Sequence, residues 1–245
     1  MKIKLVLIIL MMLFGTLTAS AQERVRSDIV KTSAGNLELT FIGHGSLMMT
    51  IGGRIIHFDP YSRMADYTKL PQADLIFLTH DHPDHLDQVA LQIVRTADTV
   101  VILPPVCADR VPGGTVVNNG AALMVFGIKV EVIPAYNIVH KRDNGQEFHP
   151  KGVGNGYVLT FGDKRISVAG DTENIPEMKA LQDIYCAFLP MNLPYTMTPE
   201  MVADAAKAFK PKLLYPYHYG DTDPTRLTAL LKDTPDIEVR IRPMQ

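Results

Sequence analysis

The sequence contains no tryptophan, and aromatic residues make up only 7% of its 245 residues. Proteins that bind single-stranded nucleic acid stack bases on aromatic side chains and carry clusters of lysine and arginine. Lysines and arginines number 24 here against 26 acidic residues, and no segment concentrates them. The composition therefore argues against a nucleic-acid partner, and a small-molecule substrate is the partner that we expect.

Cysteine is scarce as well. Cys107 and Cys186 lie far apart among apolar residues, and no C-x-x-C pair is present, which leaves cysteine-based metal binding without support. A disulfide is open to an exported protein, but the apolar neighbours favour two buried free thiols. The sequence also lacks a G-x-S-x-G motif and a glycine-rich phosphate loop, which argues against serine hydrolases and nucleotide-binding enzymes.

The N-terminal residues predict a secretory signal peptide. Two lysines precede an apolar run over residues 5–17, and Ala19-Ser20-Ala21 supplies the small-x-small pattern before a cleavage point. The run is short for a membrane span, although an uncleaved N-terminal anchor is the alternative. We expect residues 1–21 to be removed and residues 22–245 to form a single domain, which is periplasmic or extracellular and has no stable membrane span. The oligomeric state is left open.

Short apolar runs bounded by turn residues alternate with helical patterns along the chain. They predict an α/β (α+β) fold with antiparallel meanders in both halves, packed sheet on sheet with helices outside. The predicted strands cover residues 37–42, 47–51, 54–58, 75–78, 100–103, 122–126, 129–133, 156–160, 165–169 and 213–217. The predicted helices cover residues 86–95, 175–181, 201–209 and 224–231.

The run His80-Asp81-His82-Pro83-Asp84-His85 directly follows a buried strand. His80 and His82 are two residues apart, so that an extended backbone directs both imidazoles at one ion. Asp84 and His85 follow where a loop turns into a helix, and they suit a second ion beside the first. Imidazole and carboxylate ligands favour zinc and its first-row neighbours. A solvated loop without an ion is the alternative, and four ligand-type side chains within six residues disfavour it.

Further ligands are expected at other strand ends. Asp171 follows a predicted strand, and Gly170 allows a tight turn there. His218 comes at the end of another apolar strand. Each alone is an ordinary turn aspartate or core histidine, but together with the central run they complete a plausible ligand set in which Asp171 bridges two ions.

These motifs resemble the metallo-β-lactamase superfamily: T-H-x-H-x-D-H from Thr79, A-G-D-T around Asp171, and the late His218. Phe41–Ser46, Phe58–Tyr61 and Pro134–Asn137 are similar to an uncharacterised hydrolase branch related to the ascorbate-phosphate lactonase. The resemblance implies a four-layer αββα sandwich with two metal ions at one edge of its sheets. One ion would be held by His80 and His82, and the other by Asp84, His85 and His218, with Asp171 bridging.

One position departs from that pattern. The superfamily usually adds a third histidine to the first ion from the segment that corresponds to Pro134–Asn137, where this chain has Tyr136-Asn137. His149 is the best substitute and His140 the next. Otherwise His149 contacts substrate or is an ordinary loop histidine.

Three other side chains are expected near the site. His44 lies at a strand-end turn, where it contacts substrate or supports a ligand. Asp59 is expected to orient a ligand imidazole, because metal-bound histidines usually donate a hydrogen bond from their other ring nitrogen. Asn137 has a role of the same kind or touches substrate. His57 alternates with apolar neighbours in a strand and is expected to be structural.

The expected function is metal-dependent hydrolysis of an ester, lactone, amide or phosphodiester by a metal-bridging hydroxide. Asp84 is the expected catalytic residue, which orients the water and returns a proton to the leaving group. Zinc is the preferred metal, with manganese and iron as alternatives. Two other functions remain: redox chemistry at a di-iron site, whose usual flavin domain does not fit in this length, and metal binding without turnover.

Overall fold

The computed structural model describes residues 26–245. Two seven-stranded sheets face each other, one from each half of the chain. The first sheet has its strands in chain order: β1 (Arg26–Thr32), β2 (Gly35–Gly43), β3 (Ser46–Ile51), β4 (Arg54–Phe58), β5 (Leu75–Phe77), β6 (Val100–Leu103) and β7 (Thr115–Val116). The second contains β8 (Ala122–Val125), β9 (Ile128–Ala135), β10 (Gly154–Phe161), β11 (Lys164–Val168), β12 (Ile184–Pro190), β13 (Leu213–Tyr217) and β14 (Glu238–Val239).

Four helices are present in the described part of the chain: α1 (Gln88–Val94), α2 (Pro176–Lys179), α3 (Pro199–Phe209) and α4 (Thr225–Leu230). Helix α3 begins two residues before its predicted range 201–209, with Pro199 in the first turn and the Thr198 side chain accepting a hydrogen bond from the Met201 N–H. Its buried face, which includes Val202 and Phe209, belongs to the main core.

The two sheets enclose most of the buried apolar side chains. Phe58 and Phe77 of the first sheet stack at 4.8 Å, and Phe77 contacts Tyr157 of the second sheet at the same centroid distance. A smaller core, which includes Leu78 and Leu91, lies under α1 on the outer face of the first sheet. The layers are therefore helix, sheet, sheet and helix, and the four-layer αββα sandwich predicted from the sequence is confirmed.

The strand directions bring many strand ends to one edge. In the first sheet β4 and β5 are parallel, and β2 lies two antiparallel steps from β4 and so runs the same way. In the second sheet β11, β12 and β13 are parallel, and β9 runs with them for the same reason. The two edges meet, because the His218 N–H donates to the His44 carbonyl over 3.0 Å. Residues that follow these strands are therefore neighbours.

Several elements differ from the sequence prediction. Strands β1, β7, β12 and β14 are not predicted from the sequence, and α1, α2 and α4 are shorter than the predicted ranges 86–95, 175–181 and 224–231. The predicted signal peptide lies outside the described residues. Among residues 26–245, no helix has the length and hydropathy needed to cross a membrane. Cys107 and Cys186 are both buried free thiols, as predicted.

Candidate metal centre

Six of the eight histidines converge at this shared edge. The His80, His82 and His149 side chains come together in one group, which we call group one. Group two contains His44, Asp84, His85 and His218. The two groups are contiguous, since the His80 and His85 rings lie 4.1 Å apart.

Asp171 lies between the two groups. Its Oδ2 is 3.3 Å from His149 Nε2 and 3.9 Å from His80 Nε2, both in group one. The same oxygen is 3.6 Å from His218 Nε2, and Oδ1 is 3.5 Å from His85 Nε2, both in group two. One buried carboxylate therefore faces imidazole nitrogens of both groups, which is the position that a bridging ligand requires.

The buried polar atoms of this cluster indicate what it would hold. His80 Nε2, His85 Nε2, His218 Nε2 and Asp171 Oδ1 are buried without a hydrogen-bond partner among the described residues. A buried polar group without a partner costs roughly 1–3 kcal/mol. Two ligands of one tetrahedral zinc ion lie roughly 3.3 Å apart, since each bond is about 2.0–2.1 Å. The separations around Asp171 match that spacing, so these residues fit divalent metal ions.

Group two is built where strands end in left-handed backbone. His44 follows β2 with φ 54°, Asp59 follows β4 with φ 41°, and His218 follows β13 with φ 46°. This region is uncommon for residues other than glycine, and it often marks functional sites. The turn that it produces brings the His44 and His218 rings to 3.7 Å.

His44 supports Asp84. Its Nε2 is 2.9 Å from Asp84 Oδ2, which is a hydrogen-bond distance, whereas His218 Nε2 is 3.4 Å from the same oxygen. The difference indicates that His44 holds the carboxylate by a hydrogen bond while His218 faces the ion position beside it. Asp84 is about one-third exposed, in contrast to the buried Asp171.

Asp59 and Thr79 fix the ring orientations of two histidines. His85 Nδ1 donates to Asp59 Oδ2 over 2.7 Å, and the Thr79 hydroxyl donates to the same carboxylate over 2.6 Å. The Thr79 oxygen in turn accepts from His80 Nδ1 over 3.0 Å. With both Nδ1 atoms engaged, the Nε2 atoms of both rings face Asp171 at the centre of the cluster. Asp59 therefore lies where its sequence-predicted role requires.

His149 lies in group one beside His80 and His82, as expected for a substitute for the missing third histidine. The Asn137 side-chain oxygen accepts from the His149 backbone N–H over 2.9 Å and from His149 Nδ1 over 2.7 Å. The ring is thereby turned so that its Nε2 approaches Asp171. Asn137 thus lies behind the ligand group and contacts it only through His149.

Glu173 is a component that sequence reasoning missed. Its buried carboxylate accepts from the backbone N–H groups of Ile138, Val139 and His140, from the Asn137 amide and from His140 Nδ1. It therefore holds the loop that carries Asn137. Its position directly after the A-G-D-T motif is the signal that points to it.

The two remaining histidines lie elsewhere. His140, the second substitute for the third ligand, is not in any candidate metal group among the described residues, and its Nδ1 is paired with Glu173 over 2.7 Å. The structure therefore does not bring His140 together with His80 and His82. His57 is buried in β4, where its Nε2 contacts the Pro71 carbonyl oxygen over 3.1 Å, and so it lies in the structural position predicted for it.

The electrostatics favour an ionised Asp171 and neutral His80 and His82 imidazoles. Burial alone would raise the pKa of Asp171, but His218 and His85 hold it well below its ordinary value. Burial lowers the pKa values of His80 and His82, which leaves their lone pairs free for a metal. Burial would also lower the His85 pKa, but Asp171 and Asp59 raise it well above its usual value.

Two glycines allow close packing around the cluster. A Cβ atom on Gly45 would lie 2.7 Å from His85 Cε1, and one on Gly170 would lie 2.8 Å from the Asn155 carbonyl oxygen. Gly170 also has φ 67°, which allows the turn from β11 into Asp171. Both glycines are therefore required by the close packing around the ligands.

A model of the β-lactamase superfamily domain matches residues 38–218. The chain belongs to the β-lactamase superfamily. A relative from Ligilactobacillus salivarius, named a UPF0173 metal-dependent hydrolase, is 30% identical over 212 residues and covers 82% of this chain and 94% of its own. The resemblance inferred from the sequence motifs is therefore confirmed.

Solved structures agree with this membership. The structure of a proposed metal-dependent hydrolase from Parabacteroides distasonis has a TM-score of 0.86 and 48% identity, and covers 90% of this chain and 100% of its own. Igni18, a metallo hydrolase from Ignicoccus hospitalis, has a TM-score of 0.71 at 24% identity, and covers 85% of this chain and 95% of its own. At that identity the likeness shows the fold alone.

Proposed function

We propose that this member of the superfamily is a metal-dependent hydrolase with a two-metal centre. The observation that carries the proposal is the position of Asp171, whose two oxygens face imidazole nitrogens of both groups at 3.3–3.9 Å. The names of its relatives, which are called metal-dependent hydrolases, support the same reading.

The residues of each group define what they would hold. His80, His82 and His149 offer three nitrogens to one ion, and Asp84, His85 and His218 offer a carboxylate and two nitrogens to the other. Asp171 would be shared. Such donors suit zinc best, with manganese and iron as alternatives. Two divalent ions held there would lower the pKa of a water molecule and polarise the electrophilic oxygen of a substrate.

The chain's own residues set the direction of proton transfer. Asp84 lies at the open side of the centre, and the hydrogen bond from His44 fixes its Oδ2. Burial would raise its pKa, but the neighbouring His218 and His44 imidazoles lower it, so Asp84 is ionised at neutral pH. It is placed to orient the attacking water, accept its proton and return that proton to the leaving group.

The substrate class follows from this chemistry. Esters, lactones, amides and phosphodiesters each have an electrophilic centre with an oxygen that a metal ion polarises.

Export of the protein is proposed from residues 1–21 alone. A metal-binding protein that lacks turnover is the competing reading.

Metal analysis and a substrate panel test the proposal together. We expect the purified protein to contain about two equivalents of divalent metal and to hydrolyse at least one of a set of chromogenic esters, lactones and phosphodiesters. His82→Ala should lose metal and activity, whereas the matched histidine variant His140→Gln, outside both groups, should retain metal. Folded protein without metal after exposure to zinc and manganese would contradict the metal centre. Protein that holds its full complement of metal but hydrolyses no substrate of the panel would favour a metal-binding protein that lacks turnover.

A further inference from the structure

The wall of the candidate metal centre next to group one is mostly apolar. A cavity of about 40 Å³ opens onto His80, His82, His149 and Asp171, and its remaining lining consists of Asp81, Phe148, Pro150, Val153 and Gly154. Phe148 is half-buried and directly precedes His149. A group bound in this cavity beside group one would therefore contact this wall.

A second loop extends the wall outward. The Tyr195 ring meets the Phe148 ring edge to face, with centroids 5.1 Å apart, and Tyr195 is 45% exposed. The Asn137 amide donates to the Tyr195 carbonyl over 2.9 Å. The same asparagine that orients His149 therefore also fixes Tyr195, so that the aromatic pair has a defined position relative to the ligand group.

Several exposed apolar side chains lie on the loops that carry Asn137 and Tyr195. The described residues include ten large apolar side chains that are exposed, and four of them lie on the two loops that border the centre: Ile138, Val139, Leu193 and Tyr195. Exposed apolar surface at the rim of a concave site usually binds a ligand.

We propose that the substrate carries an apolar chain or ring beside the bond that is cleaved, and that this group packs against Phe148 and Tyr195. The inference rests on the proposed function and deepens it, because it names the kind of substrate. An apolar group is favoured over a sugar or a highly charged group, since the wall offers ring and aliphatic surface to an occupant.

A series of alkyl hydroxamates tests this without requiring turnover. A hydroxamate binds divalent metal ions through two oxygens, so that its alkyl chain would extend from the metal centre along the wall. We expect the Kd of the hydroxamate for zinc-loaded protein to decrease along the series from acetohydroxamate to octanohydroxamate. The decrease should be about two- to fourfold for each buried methylene group. Isothermal titration calorimetry measures each Kd.

Substitutions in the wall test whether Phe148 and Tyr195 cause the dependence of Kd on chain length. Phe148→Ala and Tyr195→Ala should flatten the dependence of Kd on chain length, and the ratio of the two end-member Kd values within each variant is the readout. Phe126 is the matched control: an arginine lies over its ring, as Arg142 lies over the Phe148 ring at 5.0 Å, but Phe126 is at the opposite end of β9. Phe126→Ala should keep the full dependence.

Each outcome decides between the two proposals. Acetohydroxamate that binds with no gain for longer chains would overturn the apolar substrate and leave the metal centre standing. If no hydroxamate binds to protein exposed to zinc, the metal centre fails, and this inference with it. Self-association that Tyr195→Ala abolishes, together with a flat series, would assign the wall to a second copy of the chain and overturn the inference.

Discussion

Asn137 accepts the Nδ1 hydrogen of His149 over 2.7 Å. Asn137 stands in the segment where the superfamily resemblance implies a third histidine, and in this chain it orients a histidine supplied by the following loop. Its Oδ1 accepts while its amide donates to Glu173 and Tyr195, so the side chain has a single orientation. Asn137 therefore contacts group one through His149 and not directly.

Asn137→Ala is expected to weaken metal binding at group one. The substitution removes the acceptor that turns His149 toward Asp171, and loss of such a supporting hydrogen bond costs about 10- to 100-fold in metal affinity. Competition with a chromophoric chelator measures the affinity of each site. Asn144→Ala, in an exposed turn where the side chain contacts only Gln146 among the described residues, is the control. Unchanged affinity in Asn137→Ala would exclude this supporting role.

Glu173→Gln is expected to destabilise the fold. The buried carboxylate accepts hydrogen bonds from three consecutive backbone N–H groups, and an amide would direct its own N–H groups at some of them. We expect the free energy of unfolding in urea to fall by about 2–4 kcal/mol. Glu177→Gln removes a partly exposed ion pair with Lys151 and should cost at most about 1 kcal/mol. Equal losses in the two variants would contradict the argument.

The sequence predicts those site residues that directly follow a clear strand pattern. The apolar run Leu75–Phe77 stops just before Thr79 and His80, and Leu213–Tyr217 stops at His218. Because parallel strands end at a shared edge, such residues are brought together by the fold itself. The sequence pattern therefore predicts where these ligand-type residues lie without knowledge of the contacts between them.

Other features were not predictable for identifiable reasons. Strand β1 is an edge strand in which Val30 alone is buried, so its alternation is weak. The loop from Asn137 to His149 has no periodicity, and its course depends on Glu173, which lies more than thirty residues away in the sequence. Strand β12 is an almost wholly apolar run, which is ambiguous between a buried strand and a helix.

Gly45→Ala is expected to remove one metal ion and leave the other. The added methyl group would meet His85 Cε1 at 2.7 Å, so the ring must shift away from Asp59 and from group two. Metal content should therefore fall from about two equivalents to about one, as measured by plasma mass spectrometry of dialysed protein. Thermal unfolding of the variant checks that the chain is folded. Two retained equivalents would show that group two tolerates the displacement.

His57 makes the stability of the fold depend on pH. Burial lowers its pKa from 6.5 to about 4, against the smaller effect of the Pro71 carbonyl. Between these values the unfolded chain binds a proton that the folded chain does not. The contribution of the neutral His57 to the free energy of unfolding is therefore complete above pH 6.5. It decreases by about 3 kcal/mol as the pH falls toward 4.

His57→Gln isolates this contribution, because the acidic groups that also titrate in this range are common to both proteins. The free energy of unfolding should fall between pH 7 and pH 4 by about 3 kcal/mol more in the native protein than in the variant. Urea denaturation of chelator-treated protein measures both, so that metal release does not contribute. Parallel pH profiles would mean that the buried imidazole is already protonated in the folded chain, or that the surrounding strands admit water to it.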